Sequence, residues 1–272
     1  MQILRNVHVT VRSNIAVRQS AIGYNQLVDE STVEKLNALN RQFYQTLGEQ
    51  FSATRRRIQP GVRRLLPSIL NSANILDLGC GNGELARQLS QQDFLGSYTG
   101  LDISLSLLKE ASEVHPLVGC YCFLQADLSN PEWAQVLYKS GIPEPFDCIL
   151  AFASLHHLPG KHLRTRILCQ ARQLISPKGL LIHSEWMFLN SARLREHILP
   201  WETVGLIAAQ VDPGDYLLDW RGGGYGLRYV HHFTSPELEA LAAETGFRVQ
   251  QSFLSDGEGS KLSHYQVWLP AG

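Results

Sequence analysis

Hydrophobic positions between residues 73 and 186 form short apolar runs that alternate with amphipathic stretches. The runs predict strands at about 73–78, 97–102, 119–125, 146–153 and 179–186. The intervening stretches predict helices near 83–91, 104–113, 131–139 and 160–175. Strands that alternate with helices are typical of βαβ units, which build a parallel sheet covered by helices. Right-handed crossovers then bring the carboxyl ends of the strands, and any ligand, to one edge.

The pattern differs on both sides of this region. Upstream, Ser31 and Glu34 match a capping box, and apolar residues then recur at helical spacing until Gly48, where the helix is expected to end or loosen. A second helix is predicted near Pro60, since proline suits the first helical turn. Downstream, a helix is expected from Ser235, followed by strands near 247–254 and 264–270. With no helix between them, these two strands pair antiparallel if they are neighbours.

The whole pattern predicts a Rossmann-like, doubly wound α/β fold. Its sheet is expected to have seven mostly parallel strands with an antiparallel last strand, preceded by an N-terminal helical extension. We expect four regions: a loosely ordered arm over 1–30, a helical extension over 31–72 that covers the cofactor site, a core over 73–186 and 234–272, and a substrate-lid insertion over 187–233.

A glycine-rich loop follows the first strand of the core. The sequence Ile-Leu-Asp-Leu-Gly-Cys-Gly-Asn-Gly occupies residues 75–83, and a helix is expected from Glu84. Glycines permit positive φ and let a ligand approach the backbone. A dinucleotide site requires G-x-G-x-x-G, but Glu84 stands beside this loop and would repel a pyrophosphate. A sulfonium cofactor without phosphate tolerates the acidic surroundings.

Two further acids are expected at strand ends. Asp102 ends the second strand and can accept hydrogen bonds from ribose hydroxyls, with Ile103 packed on an adenine. Asp127 follows the third strand and can accept an adenine amine. The alternative is that both acids only cap the helices that follow them.

These segments resemble the ordered motifs of the class I S-adenosylmethionine-dependent methyltransferases. The resemblance is carried by residues 75–83, 101–104, 126–128 and 146–149, by Leu-His-His-Leu at 155–158 and by residues 174–180. It implies S-adenosyl-L-methionine as the cofactor. The residues expected to bind it are Arg55, Asp77, Gly79, Cys80, Gly81, Gly83, Asp102, Ile103, Asp127, Leu128 and Ala151.

Two flanking segments resemble the tRNA wobble-uridine carboxymethyl methyltransferases of the AlkB-homologue type. The first is Phe-Ser-Ala-Thr-Arg at 51–55, and the second is Arg-Tyr-Val-His at 228–231. The chain departs from that family at Gln59-Pro60-Gly61, which replaces Pro-Trp-Pro, and at Val230, which replaces a tyrosine. The resemblance implies catalytic roles for Arg228, Tyr229 and His231. His156 is a further candidate, either as a general base or as a residue that orients its loop.

The chemistry of these flanks leaves the acceptor open. Residues 51–66 contain five arginines and no acid, which suits phosphates or a carboxylate but also suits a solvated helix start. The aromatic residues of the insertion either stack on a splayed base or form the core of the lid. They are Trp201, Trp220, Tyr225 and Tyr229. His183, His231, His232 and His264 lack metal-ligand spacing, so no metal is expected.

Composition limits the classes of protein and the cellular compartments that fit this chain. The net charge of −1 argues against a chain that coats nucleic acid. Five cysteines with no C-x-x-C pair argue against a disulfide framework and a zinc site, which favours the cytoplasm. No apolar run reaches membrane-span length. The first 28 residues carry three arginines and no acid, which allows a targeting peptide as the alternative to an arm.

Three functions therefore compete. The first is a methyltransferase that acts on a carboxyl group of a tRNA wobble uridine, with a small activating protein as an expected partner. The second is a small-molecule O- or N-methyltransferase. The third is a non-catalytic subunit that binds S-adenosylmethionine without turnover.

Overall fold

A computed structural model of the chain describes residues 28–53 and 56–272. The expected arm lies outside the described residues, apart from residues 28–30. The helices of the described chain are α1 (Glu30–Ala53), α2 (Pro60–Leu70), α3 (Glu84–Ser90), α4 (Leu105–Ala111), α5 (Gln135–Lys139), α6 (Lys161–Leu174), α7 (Ala192–Arg195) and α8 (Ser235–Glu244).

The first helix differs from the prediction at both of its signals. Asp29 caps α1 in place of Ser31, because the Asp29 carboxylate accepts the Thr32 N–H at 2.9 Å and the Ser31 hydroxyl at 2.5 Å. Gly48 lies inside α1 and does not end it. A Cβ added at Gly48 would lie 3.2 Å from the Ser106 Oγ, so the glycine allows α1 to pack closely on α4. At α8, Thr234 forms the capping box with Glu237, one residue before the expected start.

The strands of the described chain are β1 (Asn74–Leu78), β2 (Ser97–Asp102), β3 (Cys120–Gln125), β4 (Phe146–Phe152), β5 (Ile175–Trp186), β6 (Ile198–Leu199), β7 (Asp215–Trp220), β8 (Gly226–His231), β9 (Phe247–Ser255) and β10 (Ser263–Pro270). Seven of them form one sheet in the order β3-β2-β1-β4-β5-β10-β9. In this order, the five neighbouring strands β3, β2, β1, β4 and β5 pair in parallel, whereas β10 pairs antiparallel with both β5 and β9. The predicted fold class is confirmed.

Apolar side chains fill both faces of this sheet. On β1, Leu76 and Leu78 face one buried cluster, which also contains Leu168 of α6. Ile75 faces the other cluster, together with Leu85 of α3. This alternation follows from the period of two along a strand. Burial of each such side chain stabilises the fold by about 1.5–3 kcal/mol. A charged residue at a buried strand position would not give this stabilisation, so its presence needs a separate explanation.

The 187–233 segment contains secondary structure that its weak periodicity did not predict. Strands β6, β7 and β8 form a separate three-stranded antiparallel sheet. Leu218 of β7 and Val230 of β8 pack on Phe188. We propose that this small sheet is the lid, and that 73–186 with 234–272 is the core.

Candidate active site

The acids expected in the site lie at one edge of the main sheet. Asp77 pairs with Gly100 and Asp102 pairs with Gln125 in the parallel registers of β1, β2 and β3. Because the carboxyl ends of parallel strands meet at one edge, the segments that follow β1, β2 and β3 converge there. Asp77, Asp102 and Asp127 all line a cavity of about 600 Å³.

The glycine loop forms the floor of this cavity. Gly79, Cys80 and Gly81 are on its wall. Gly81 has φ +55°, and a Cβ added there would meet no atom within 4 Å, so the backbone faces open space. Gly83 does not line the cavity; a Cβ there would lie 2.9 Å from Ala111. Gly83 thus allows α3 to pack closely against α4, and its expected contact with the cofactor stays a prediction.

Asp102 organises the loop as well as the cavity wall. Its carboxylate accepts the Gly81 N–H and the Ser104 N–H, both at 2.9 Å. Each carboxylate oxygen has a second lone pair, so two hydroxyl donors can still bind there. Burial raises the pKa of Asp102, while the hydrogen bonds from Ser104 and Gly81 oppose the rise. Asp102 thus both caps the chain that follows and remains available to a ribose.

Asp127 is held by a residue that the sequence analysis missed. Its carboxylate accepts the Ser129 N–H at 2.9 Å and forms an ion pair with Arg41 of α1, also at 2.9 Å. The side chains of Ile103 and Leu128 are on the same wall. No local sequence signal marks Arg41, because its partner lies 86 residues away.

Asp77 is buried beneath the loop. It is 3% exposed and accepts a hydrogen bond from the Tyr98 hydroxyl at 2.5 Å. Burial raises the pKa of Asp77 to about 7, although the Tyr98 hydrogen bond opposes the rise. Ala151, in contrast, is fully buried within β4 and does not reach the cavity wall.

Helix α1 covers the cavity. Asn37, Asn40, Arg41 and Tyr44 lie on its wall. Asn40 binds β8 in both directions: its side-chain amide donates to the Tyr229 carbonyl at 3.2 Å, and its carbonyl accepts the Tyr229 N–H at 2.8 Å. It also donates to the His157 carbonyl at 2.9 Å. Asn40 therefore fixes the helical extension to the lid and to the loop after β4.

The opposite end of the cavity carries His156, Glu185, Trp186 and Arg228. His156 is 1% exposed, and burial lowers its pKa to about 4, so the imidazole is neutral at pH 7. Arg228 is 5% exposed, with its guanidinium 4.7 Å from the Trp186 ring centre and 5.5 Å from that of Phe43. A neutral imidazole and a buried cation thus face one space.

The remaining residues of the second motif point away from the cavity. Tyr229 and His231 are buried and do not line it. The Tyr229 hydroxyl donates to Asp215 at 2.6 Å, and the His231 ring contacts Asp215 at 2.6 Å and Glu237 at 2.8 Å. Burial alone would lower the pKa of His231, but these two carboxylates raise it. Tyr229 and His231 thus form a structural contact between the lid and α8, and their expected catalytic roles stay a prediction.

Arg55 lies outside the described residues, so its expected role stays a prediction. Within the arginine cluster, Arg57 is exposed and lines the cavity. The Arg64 guanidinium lies 4.2 Å from the Phe253 ring centre. The aromatic residues of the lid do not line the cavity: Trp201 packs beside Leu36 and Trp220 contacts Phe43.

Metal sites and membrane spans have no support within the described ranges. The described residues contain no group of three or more His, Cys, Asp or Glu side chains arranged to hold a metal ion. No helix in residues 28–53 and 56–272 combines the length and apolar character that crossing a membrane requires.

Comparison with known proteins gives one family and several relatives. A family model described as a methyltransferase domain matches residues 51–252. A candidate methyltransferase of Encephalitozoon cuniculi is 28% identical over 208 residues, which is 76% of this chain and 86% of that protein. The tRNA (carboxymethyluridine(34)-5-O)-methyltransferase of Arabidopsis thaliana is 29% identical over 157 residues, 58% of this chain but only 35% of the plant protein.

A solved structure from Methanosarcina mazei, titled a SAM-dependent methyltransferase, has the same fold. It superposes with a TM-score of 0.58 at 19% identity and covers 79% of this chain and 99% of its own.

Proposed function

The chain belongs to the methyltransferase domain family, and we propose on this basis that it transfers a methyl group from S-adenosyl-L-methionine to a carboxylate oxygen. The observation that carries the proposal is a single cavity with acidic strand ends at one side and the buried cation Arg228 at the other.

The acidic side fits the cofactor. Asp102 keeps two lone pairs for the ribose hydroxyls, and the open backbone at Gly81 leaves room for the amino-acid portion. Ile103 and Leu128 offer apolar surface for the adenine. When bound, the cofactor supplies a methyl group activated by its sulfonium. The residues of the chain bind it, orient it and exclude water under α1.

The basic side fits an anionic acceptor. A carboxylic acid with a pKa of about 4 is ionised at pH 7, so attack on the methyl carbon needs no general base. A carboxylate oxygen forms the new O–C bond as the C–S bond breaks, which leaves a methyl ester and a neutral thioether. Arg228 can bind the carboxylate through two parallel hydrogen bonds and so fix its direction of attack.

We further propose a tRNA wobble uridine as the carrier of that carboxylate. The name of the Arabidopsis relative, which specifies a carboxymethyluridine at position 34, supports this assignment. Arg56 and Arg57, between α1 and α2, and Arg63, in the first turn of α2, are exposed and can neutralise backbone phosphates. The small activating partner protein stays a proposal that rests on the resemblance of residues 51–55 and 228–231 to that family.

A second candidate is methylation of a small-molecule hydroxyl. The neutral His156 on the cavity wall favours it, because an unprotonated imidazole nitrogen can accept a hydroxyl proton during transfer.

The test supplies deuterated-methyl S-adenosylmethionine with either an anticodon stem-loop that carries 5-carboxymethyluridine or an RNA-free metabolite extract. Mass spectrometry locates the label. A labelled methyl ester on the RNA, with affinity that falls steeply as salt rises, is the expected result. A label only in the extract would favour the hydroxyl candidate, and cofactor binding without any transfer would contradict both.

A further inference from the structure

Glu185 joins two histidines at the acceptor end of the cavity. It is 1% exposed and lies on the cavity wall near the end of β5. Its Oε2 is 3.0 Å from the His156 Nδ1, and its Oε1 is 2.9 Å from the His183 Nδ1. No motif of the sequence contained Glu185, although an acid inside a run of buried strand positions was a visible signal.

A second contact indicates which nitrogen of the His156 ring carries the proton. The backbone N–H of Trp186 also points at the His156 Nδ1, at 3.3 Å. An amide N–H can only donate, so Nδ1 acts as an acceptor there. A neutral imidazole carries its one proton on the other nitrogen, Nε2. All polar contacts of the ring with the described residues fall on Nδ1, which leaves Nε2 for the cavity.

The contact between Glu185 and His156 Nδ1 also constrains the protonation state of Glu185. An ionised carboxylate 3.0 Å from an Nδ1 lone pair would bring two acceptors together without a proton. A protonated carboxyl group would instead donate its O–H to that lone pair, which two donors then share, Glu185 at 3.0 Å and the Trp186 N–H at 3.3 Å. Its other oxygen, Oε1, would accept the Nδ1–H of His183.

We propose that Glu185 is a positioning residue that carries a proton, donates it in a hydrogen bond to His156 Nδ1, and thereby holds the Nε2–H of His156 as a donor toward the acceptor. This inference rests on the proposed carboxylate acceptor. Nε2–H then donates to the carboxylate oxygen that does not attack, while Arg228 binds both oxygens, and the attacking oxygen keeps a lone pair aimed at the methyl carbon.

The charged groups around Glu185 agree with this assignment. Burial raises the pKa of Glu185, and the opposing groups are His156, His231 of β8 and Arg164 of α6. His183 on β5 itself is neutral, because burial lowers its pKa to about 3. His264 of β10 pairs with Glu185 across the sheet, and burial lowers its pKa as well.

The direct test is the protonation pattern of the His156 ring. Nitrogen-15 NMR of the full chain, with the signal assigned by its loss in His156→Gln, separates protonated from unprotonated ring nitrogens. The expected spectrum has a bare Nδ1 and a protonated Nε2 at pH 7. The reverse pattern would overturn the proposal, and it would do so whether or not the wild type methylates the RNA.

Variants of Glu185 give the functional test. The side-chain amide introduced by Glu185→Gln can still donate to His156 Nδ1, so this variant should retain turnover within about tenfold of the wild type. Glu185→Ala should lose about 100-fold through misplacement of the donor. Glu113→Gln, an exposed control, should behave as the wild type. Loss in Glu185→Gln equal to that in Glu185→Ala would indicate an ionised Glu185 and overturn the proposal.

The pH profile separates this role from a purely structural one. Methyl-ester formation on the 5-carboxymethyluridine stem-loop should fall as pH rises through the raised pKa of Glu185, and Glu185→Gln should remove that alkaline limb. If the wild type forms no methyl ester, the acceptor proposal fails, while the NMR result still decides the tautomer.

Discussion

Replacement of Arg228 by alanine tests the acceptor end of the site. Arg228 is 5% exposed, and its guanidinium lies over the rings of Trp186 and Phe43. Each desolvated cation–π contact is worth about 0.5–2 kcal/mol, so the variant should lose about 2 kcal/mol of unfolding free energy. For a protein of this size, that corresponds to a decrease in Tm of about 4–8 °C.

The effect on catalysis should be larger. Two charge-assisted hydrogen bonds to the acceptor carboxylate are each worth about 1.5–3 kcal/mol, so their loss should lower kcat/KM at least about 100-fold. Most of this should appear in KM, because the carboxylate is fully charged in the ground state and only partly charged in the transition state. Arg228→Lys, which keeps the charge without the bidentate geometry, should recover part of the loss.

The assay measures kcat and KM for the carboxymethyluridine stem-loop well below the Tm of the variant, with calorimetric affinity for S-adenosylhomocysteine measured in parallel. Arg193→Ala, an exposed arginine of α7, is the control. Cofactor affinity should stay within about twofold of the wild type. A loss of cofactor affinity as large as the loss of kcat/KM would refute the reasoning and place Arg228 in the cofactor site.

Three further predictions concern the cofactor end and the lid. Asp102→Asn should weaken S-adenosylhomocysteine binding at least about tenfold by calorimetry, since the amide keeps one acceptor oxygen and loses the other, with its backbone N–H and its ribose hydroxyl; unchanged affinity would exclude a ribose contact. Asn40→Ala removes three hydrogen bonds and should cost about 3 kcal/mol in urea denaturation, whereas an exposed-site Asn→Ala change should cost under about 0.5 kcal/mol. The stabilisation that protonated His231 gives the wild type should be complete below about pH 6.5, the ordinary histidine pKa, and should be lost as pH rises through the raised pKa of His231. His231→Gln should flatten this dependence of the unfolding free energy on pH, and an unchanged slope in the variant would contradict the assignment.

The core of the fold follows from the sequence because its signals are local. The alternation of apolar runs and amphipathic stretches predicts every strand of the parallel sheet within a few residues. The caps are displaced by one or two residues, as with Asp29 in place of Ser31, because several neighbouring residues have capping side chains. The strands of the 187–233 segment have no such signal, since these three short strands are stabilised by packing on Phe188 rather than by any periodic pattern.

Some residues of the candidate site could be predicted from the sequence and others could not, because only some of their signals are local. Residues at strand ends, such as Asp102, can be placed from the sequence because strand ends converge at one edge. A motif on a strand cannot be assigned to the site as one unit, because neighbours on a strand face opposite sides. Because successive side chains of β8 face opposite sides, Arg228 faces the cavity, whereas Tyr229 and His231 face the other side and contact Asp215. Arg41 depends on a partner 86 residues away, which no local pattern reveals. Glu185 is visible as an acid inside an apolar strand, but its contact with His156, 29 residues away, is not.

The charges of the cavity are consistent with a reaction that removes charge. In the proposed transfer, a sulfonium and a carboxylate would become a thioether and an ester, so the transition state would be less charged than the bound reactants, and a dry, weakly polar site would favour it. An ionised Glu185 beside the acceptor would repel the carboxylate and favour the sulfonium of the reactant state. A protonated Glu185 and a neutral His156 avoid both effects while still supplying a donor. Arg228 remains as the one cation that the structure describes as buried on the cavity wall, and its aromatic contacts limit the free energy of desolvation that its burial costs.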